Sequence, residues 1–237
     1  MHQLLNLFSH QRRENRFMAG FRNSSLNIVV KQGIFDIISD YISYCCSEME
    51  KDLRNKGRMI KNDENKIRDY LLEHFLNDND LRQQMHMEMF LFIPEVPENY
   101  VDLEKYKGRV DIKIIHQLET FVENKAVYFI ECKRIDGRSK LNKEYVKNGV
   151  SRFVVSPPLY NSYYNKNFML GFLVEKIDND SNIKEIEKIQ DDTKEIQNVN
   201  GIIKIENKNK QYNCDYLMEN KYIQLRHIFI DFSNIID

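Results

Sequence analysis

The chain has 237 residues, of which 42% are hydrophobic and 30% are charged, as in an ordinary globular protein of one large domain. With 8 glycines and 4 prolines, the composition excludes collagen-like, disordered and linker-rich classes. Lysine and arginine together number 35 and the acidic residues 36, so contact with nucleic acid would need a local basic patch.

The cysteines Cys45, Cys46, Cys132 and Cys214 contain no C-x-x-C pair, so we expect neither a zinc site nor a disulfide framework. The six histidines have no metal-ligand spacing, and we expect them in the core or on the surface. The apolar runs fall far short of the roughly 18 residues that cross a membrane. No basic segment followed by an apolar one opens the chain. We therefore expect a cytoplasmic protein with no membrane contact.

The N-terminal part of the chain differs from the rest in pattern. Residues 1–25 contain four arginines, and we expect a solvated lead-in there, with a phosphate-contacting arm as the alternative. Apolar residues three and four apart then predict one amphipathic helix from about 26 to 56, with a short strand at 28–30 as an option. We assign 1–58 to an N-terminal helical extension packed on the core, and 59–237 to the main domain.

A second helix is predicted from Asn62. Asp63 and Glu64 lie in its first turn, where the helix dipole favours acidic side chains. The polar run at residues 77–80 ends this helix. Residues 85–93 then predict a strand, which two prolines terminate.

The remaining segments alternate between strands and helices. Strands are predicted at 109–115, 126–133, 168–175, 201–206 and 222–232. Helices are predicted at 140–155 and 178–200, the second with Ser181 as its N-cap. This order predicts an α/β fold with a central mixed β-sheet flanked by helices.

Three charged residues interrupt two of the apolar strands. Asp111 lies in the segment GRVDI, and Glu131 and Lys133 lie in the segment YFIECK. Side chains alternate along a strand, so Glu131 and Lys133 share one face. If the two strands form a hairpin, Asp111 lies opposite that pair. Charges in so apolar a strand must be paired or bound, because unpaired burial is costly.

Two carboxylates and an ammonium suit the hydrolysis of a phosphodiester with a divalent ion. Oxygen ligands hold Mg²⁺, and the ion stabilises the charged transition state and acidifies a bound water. A nearby lysine positions that water, helps to deprotonate it, or neutralises developing charge. The alternative is a salt-bridged set at strand ends, which is common in proteins.

The blocks GRVDI, FIECKR and YVKNGVSRFV resemble the PD-(D/E)XK nuclease superfamily, which has the restriction-endonuclease-like fold. More narrowly, they resemble small, mostly uncharacterised bacterial members with the pattern GRxDI…FIECKR…YxxxGxxRF…MxGF. The matching blocks cover about residues 60–175. One departure is Val110, which stands where many members have proline.

The resemblance implies a role for five residues. Asp111, Glu131 and Lys133 would be catalytic. Asp111 and Glu131 would hold Mg²⁺, for which Mn²⁺ substitutes, and the backbone carbonyl of Cys132 would be a further ligand. Glu64 matches an acidic residue that many members place near the metal, although a plain helix-terminal charge is an equal alternative.

Basic side chains follow the motif strand and form the densest positive patch. We expect nucleic-acid contacts from Arg134, Arg138, Lys140, Lys143, Lys147 and Arg152. A solvated charged face is the default alternative, and for Arg152 pairing with Glu131 or Asp111 is favoured. Tyr160, Tyr163 and Tyr164 offer rings for base stacking, although packing on their own sheet is favoured.

Together these features predict a Mg²⁺-dependent endonuclease, a hydrolase acting on DNA more than on RNA, in bacterial restriction or anti-phage defence. The main alternative is a catalytically inactive nuclease-fold protein that binds nucleic acid or a partner protein. A third reading makes this chain the cutting subunit of a multi-protein defence complex. Cutting both strands would favour a homodimer, because one site breaks one strand at a time.

Overall fold

The computed structural model describes residues 24–100, 106–117, 126–160 and 163–237. Contacts between Cα atoms divide the chain into two units, Met1–Ile38 and Ser39–Asp237. The expected arginine-rich arm falls mostly outside the described residues and stays a prediction. Every residue of the candidate site lies in the second unit.

The described residues form α-helices of very different lengths and one sheet. The α-helices are α1 (Ser24–Asn55), α2 (Glu64–Leu71), α3 (Asn79–Gln84), α4 (Ser139–Tyr145), α5 (Ser151–Val154) and α6 (Asn179–Asp191). Other turns are the π-helical Leu72–Leu76 and Val146–Val150 and the 3-10 turn Tyr163–Asn165. The strands are β1 (Phe90–Tyr100), β2 (Tyr106–His116), β3 (Val127–Ile135), β4 (Lys166–Leu173), β5 (Ile203–Lys204), β6 (Gln211–Met218) and β7 (Lys221–Asp231).

The seven described strands make one mixed sheet in the order β1-β2-β3-β4-β7-β6-β5. Strand β4 is parallel to both β3 and β7, and the other neighbouring pairs are antiparallel. Strands β3 and β4 lie in the interior of the sheet and are almost completely buried, which explains their continuous apolar sequences. The predicted α/β fold with a mixed sheet and flanking helices is confirmed. No helix within the described ranges is long and apolar enough to cross a membrane.

The predicted strand at residues 85–93 was wrong in its bounds. Strand β1 begins at Phe90 and continues through Pro94 and Pro97, which are paired with residues of β2. Proline is tolerated there because β1 is an edge strand, and one side of its backbone needs no partner strand. Residues 85–89 form turns between α3 and β1, and the N-cap of α3, Asp78, accepts a hydrogen bond from the backbone N–H of Leu81 at 2.9 Å.

A buried histidine lies on β7 between two tyrosines. The His227 Nδ1 is 2.8 Å from the Tyr145 hydroxyl, and its Nε2 is 3.2 Å from the Tyr216 hydroxyl. A neutral imidazole has one donor and one acceptor nitrogen, so it can satisfy both hydroxyls. Burial lowers the pKa of His227 to about 3. Folding therefore keeps His227 neutral.

We expect this histidine to weaken the fold in acid. In the unfolded chain histidine binds a proton below about pH 6.5, whereas the folded protein excludes it, so stability is lost as the pH falls below that value. The His227→Gln variant, which cannot titrate, should lose less stability between about pH 7 and about pH 5 than the wild type. Thermal melts followed by circular dichroism measure this, with His74→Gln as the control at an exposed histidine. Parallel pH profiles for wild type and His227→Gln would contradict the expectation.

Candidate functional site

The hairpin of β2 and β3 brings the two strand carboxylates together. The strands are antiparallel, with Ile112 opposite Ile130, so Asp111 and Glu131 are the next residues along each strand. The backbone N–H of Cys132 donates a hydrogen bond to Asp111 Oδ2 at 2.8 Å. Strands β2 and β3 therefore pair as the predicted hairpin, which places Asp111 beside Glu131.

The Lys133 ammonium lies at the centre of the site. Its Nζ is 3.0 Å from Glu64 Oε1, 3.0 Å from Glu131 Oε1, 2.7 Å from the Cys132 carbonyl oxygen and 3.9 Å from Asp111 Oδ2. The side chain is 9% exposed. Burial acts against the charge, but the neighbouring carboxylates outweigh it and raise the pKa of Lys133. The family resemblance implies four groups near a metal ion: Glu64, Asp111, Glu131 and the Cys132 carbonyl. In this structure all four lie within 3.9 Å of the Lys133 ammonium.

Glu131 is the most deeply buried member, with no exposed side-chain surface. Its Oε1 accepts hydrogen bonds from Lys133 Nζ and, at 2.7 Å, from Arg152 Nη1. Among the described residues, Glu131 Oε2 has no hydrogen-bond partner although it is buried. Burial first, and then the charge of Asp111, raise the pKa of Glu131 to about 7, while Lys133 and Arg152 act in the opposite direction.

Helix α2 supplies Glu64 to the site from its first turn. The Asp63 N-cap accepts hydrogen bonds from the backbone N–H groups of Asn65 and Lys66, which fixes where α2 begins. Glu64 Oε2 accepts a hydrogen bond from the backbone N–H of Arg134 at 3.0 Å, and its Oε1 contacts Lys133. Glu64 therefore links α2 to β3 and is more than a helix-terminal charge.

Arg68 is a member of the site that the sequence analysis missed. Its guanidinium donates to Asp111 Oδ1 at 2.9 Å, to Asp69 at 2.8 Å and to Glu95 at 2.8 Å, and its side chain is 4% exposed. Its spacing could have indicated a role in the site, because Arg68 follows Glu64 by four residues on α2 and so lies on the same helix face.

Arg152 pairs with a carboxylate, as the favoured interpretation predicted. Its Nη1 donates to Glu131 Oε1 and, at 3.0 Å, to the Tyr160 hydroxyl, which in turn donates to the Arg109 carbonyl oxygen. The Tyr160 ring is fully buried against Phe129 and Phe153. Tyr160 is therefore part of the core, and its ring is not presented for base stacking.

The other basic residues of the predicted nucleic-acid surface differ in their surroundings. The Arg134 guanidinium binds the backbone and side-chain oxygens of Asn62, at 2.7 and 2.8 Å, and Arg138 is 77% exposed. Lys140 is exposed, and Lys143 and Lys147 line a groove of about 650 Å³ that the end of α6 also lines. Their contact with nucleic acid stays a prediction.

The chemistry of the donors fits a divalent cation, although within the described ranges no three His, Cys, Asp or Glu side chains are arranged to hold one as they stand. Asp111 and Glu131 are neighbouring hard oxygen donors, and the buried Glu131 Oε2 is free to accept a ligand bond. Glu64 Oε1 and the Cys132 carbonyl oxygen also contact the Lys133 ammonium, at 3.0 and 2.7 Å. Because like charges repel, a cation bound here would have to displace that ammonium.

The fold and the site together define an α/β protein with a buried cluster of carboxylates and cations where β2, β3 and α2 meet. Comparisons with protein-family models, with curated proteins and with solved structures found no match for this chain. Its function must therefore be argued from the geometry of its own residues.

Proposed function

We propose that this chain is a divalent-metal-dependent endonuclease with a restriction-endonuclease-like core, which hydrolyses phosphodiester bonds in DNA more readily than in RNA. The observation that supports this most strongly is the convergence of Glu64, Asp111 and Glu131 on Lys133, whose Nζ lies 3.0 to 3.9 Å from them. Hard oxygen ligands beside a protonated amine are the groups that metal-assisted cleavage of a phosphodiester requires.

In this proposal Asp111, Glu131 and the Cys132 carbonyl would hold Mg²⁺ or Mn²⁺, with Glu64 nearby. When bound, the ion supplies charge stabilisation to the phosphate and acidifies a water molecule. In the metal-free protein the surrounding carboxylates raise the pKa of Lys133 and favour its protonated form. In this proposal Lys133 orients the attacking water and offsets charge on the phosphate.

The alternative is a nuclease-fold protein without activity that binds nucleic acid or a partner protein. One observation favours it: Arg68, Lys133 and Arg152 already pair with the carboxylates of Asp111 and Glu131. Such a set of ion pairs can be a purely structural cluster. Assays of DNA cleavage and of metal binding distinguish the active nuclease from this inactive alternative.

The test incubates the purified protein with supercoiled plasmid, linear DNA and single-stranded RNA in Mg²⁺, Mn²⁺, Ca²⁺ or EDTA. We expect cutting of DNA with Mg²⁺ or Mn²⁺ and none with EDTA. A nicked plasmid is expected from single sites and a linear plasmid from paired sites, since one site breaks one strand.

The Asp111→Asn variant, purified in parallel, controls for a contaminating nuclease. Equal cutting by wild type and Asp111→Asn would place the chemistry elsewhere. Binding of DNA in fluorescence anisotropy without cutting under any metal would support the inactive alternative.

A further inference from the structure

Arg68 is a buried cation whose three guanidinium nitrogens all donate hydrogen bonds to carboxylates of the protein. It is 4% exposed, and it donates to carboxylates on three separate segments: Asp69 on α2, Glu95 on β1 and Asp111 on β2. The planar guanidinium is suited to this task because its donors have a fixed geometry, which a lysine does not reproduce. With so little exposed surface, Arg68 has no route to a substrate phosphate.

Each of the two oxygens of Asp111 accepts a hydrogen bond from a different donor. Arg68 Nη1 donates to Oδ1 at 2.9 Å, and the backbone N–H of Cys132 donates to Oδ2 at 2.8 Å. These two contacts fix the carboxylate beside Glu131 and 3.9 Å from the Lys133 ammonium. Helix α2 thus acts on the site twice, through Glu64 in its first turn and through Arg68 four residues later.

The backbone at Glu95 indicates that the contact with Arg68 is held against strain. Glu95 has a φ of 44°, in the left-handed region that is uncommon for a residue other than glycine. Its carboxylate also lies 3.5 Å from Arg109 on β2. Glu95 therefore contacts Arg68 from a position of unfavourable backbone conformation on the edge strand.

We propose that Arg68 is a positioning residue, which sets the orientation of the Asp111 carboxylate for a divalent ion without contacting the ion or the nucleic acid. The inference rests on the proposed function, because it assigns a role toward the ion of that same site. Partners that orient metal ligands typically contribute about 10- to 100-fold to metal affinity or activity.

The experiment measures Mn²⁺ affinity by isothermal titration calorimetry in the absence of nucleic acid. Arg68→Lys keeps the charge and loses the fork, and Arg68→Gln loses both. We expect both variants to bind Mn²⁺ at least about tenfold more weakly than wild type. In cleavage assays at subsaturating Mn²⁺ they should be slower, with recovery as Mn²⁺ is raised and an unchanged KM for DNA. A merely structural role would lower the melting temperature in EDTA without moving the Mn²⁺ affinity.

Glu95→Gln is the matched control, because it removes one partner of Arg68 and leaves the contact with Asp111. Its Mn²⁺ affinity should stay within about twofold of wild type. Wild-type affinity in both Arg68 variants, equal weakening by Glu95→Gln, or unfolding of both variants in EDTA would overturn the inference and leave the proposed function standing. A wild-type protein that neither binds Mn²⁺ nor cuts DNA would overturn the proposed function, and the inference with it.

Discussion

Replacing Lys133 with methionine should abolish cleavage and at the same time strengthen Mn²⁺ binding. The Lys133 ammonium lies 3.0 Å from Glu64, 3.0 Å from Glu131 and 2.7 Å from the Cys132 carbonyl oxygen, so it competes with a metal ion for these atoms. Methionine keeps the length of the side chain and removes the charge. Loss of a group that orients the attacking water should lower the cleavage rate by at least about 10²-fold.

The two effects are measured separately, by single-turnover cleavage at saturating Mn²⁺ and by calorimetric titration of Mn²⁺ without DNA. In EDTA, the Lys133→Met variant should melt below wild type, because its carboxylates have lost a buried counter-ion, and it should gain more from added Mn²⁺. Lys188→Met, at an exposed lysine of α6, is the control and should match wild type in every assay. Retained cleavage with weaker Mn²⁺ binding would remove Lys133 from its proposed role.

The interior strands were predictable because burial on both faces gives a continuous apolar sequence. Strand β3 runs from Val127 to Ile135 against the predicted 126–133, and β4 from Lys166 to Leu173 against 168–175. The differences, of one or two residues, lie at the strand ends. There a charged residue such as Lys166 hydrogen-bonds to the neighbouring strand, at Gln224 of β7, and only the tertiary structure supplies that partner.

Strand β6 was missed although its sequence alternates. Tyr212, Cys214 and Tyr216 are buried, while Asn213 and Asp215 between them are only partly buried. These polar residues are satisfied across the sheet by β7, where Arg226 Nε donates to Asn213 at 2.7 Å and Gln224 donates to Asp215 at 3.0 Å. A single strand taken by itself does not reveal such partners, and no element was predicted for these residues.

The residues of the candidate site were likewise predictable only in part. Asp111, Glu131 and Lys133 stood out because each is a charge in an apolar strand. Arg68 and Glu95 did not, since their contacts join residues 43 and 27 positions apart. Arg68 lies on a helix of mostly polar sequence, and Glu95 lies beyond the predicted end of the first strand. The N-cap of α6 is a smaller case: Ser181 was predicted, but Asp178 caps the helix, which begins at Asn179. Both residue types are good N-caps, so the sequence did not separate them.

Replacing Glu131 with glutamine should stabilise the metal-free protein at alkaline pH while removing its activity. Burial and the charge of Asp111 raise the pKa of Glu131 to about 7, from 4.5 in the unfolded chain. For a carboxyl whose pKa is raised by folding, stability is fully present below about pH 4.5 and is lost as the pH rises through about 7. Above about pH 7, the raised pKa corresponds to a loss of about 3 kcal/mol in the free energy of unfolding. Glutamine resembles the protonated carboxyl, so the variant should escape this loss.

In EDTA at about pH 8, the Glu131→Gln variant should therefore melt roughly 6 to 12 °C above wild type, by the usual conversion for a chain of this size. At about pH 4.5 the two proteins should nearly coincide, because Glu131 is then largely protonated in the folded wild type. Glu185→Gln, at an exposed position of α6, controls for the loss of a surface charge and should follow wild type at both pH values. Saturating Mn²⁺ should narrow the gap at alkaline pH, since the ion stabilises only the carboxylate form. A Glu131→Gln variant that melts below wild type at alkaline pH would mean that its ion pairs with Lys133 and Arg152 outweigh the cost of burial, and that Glu131 belongs to a structural cluster.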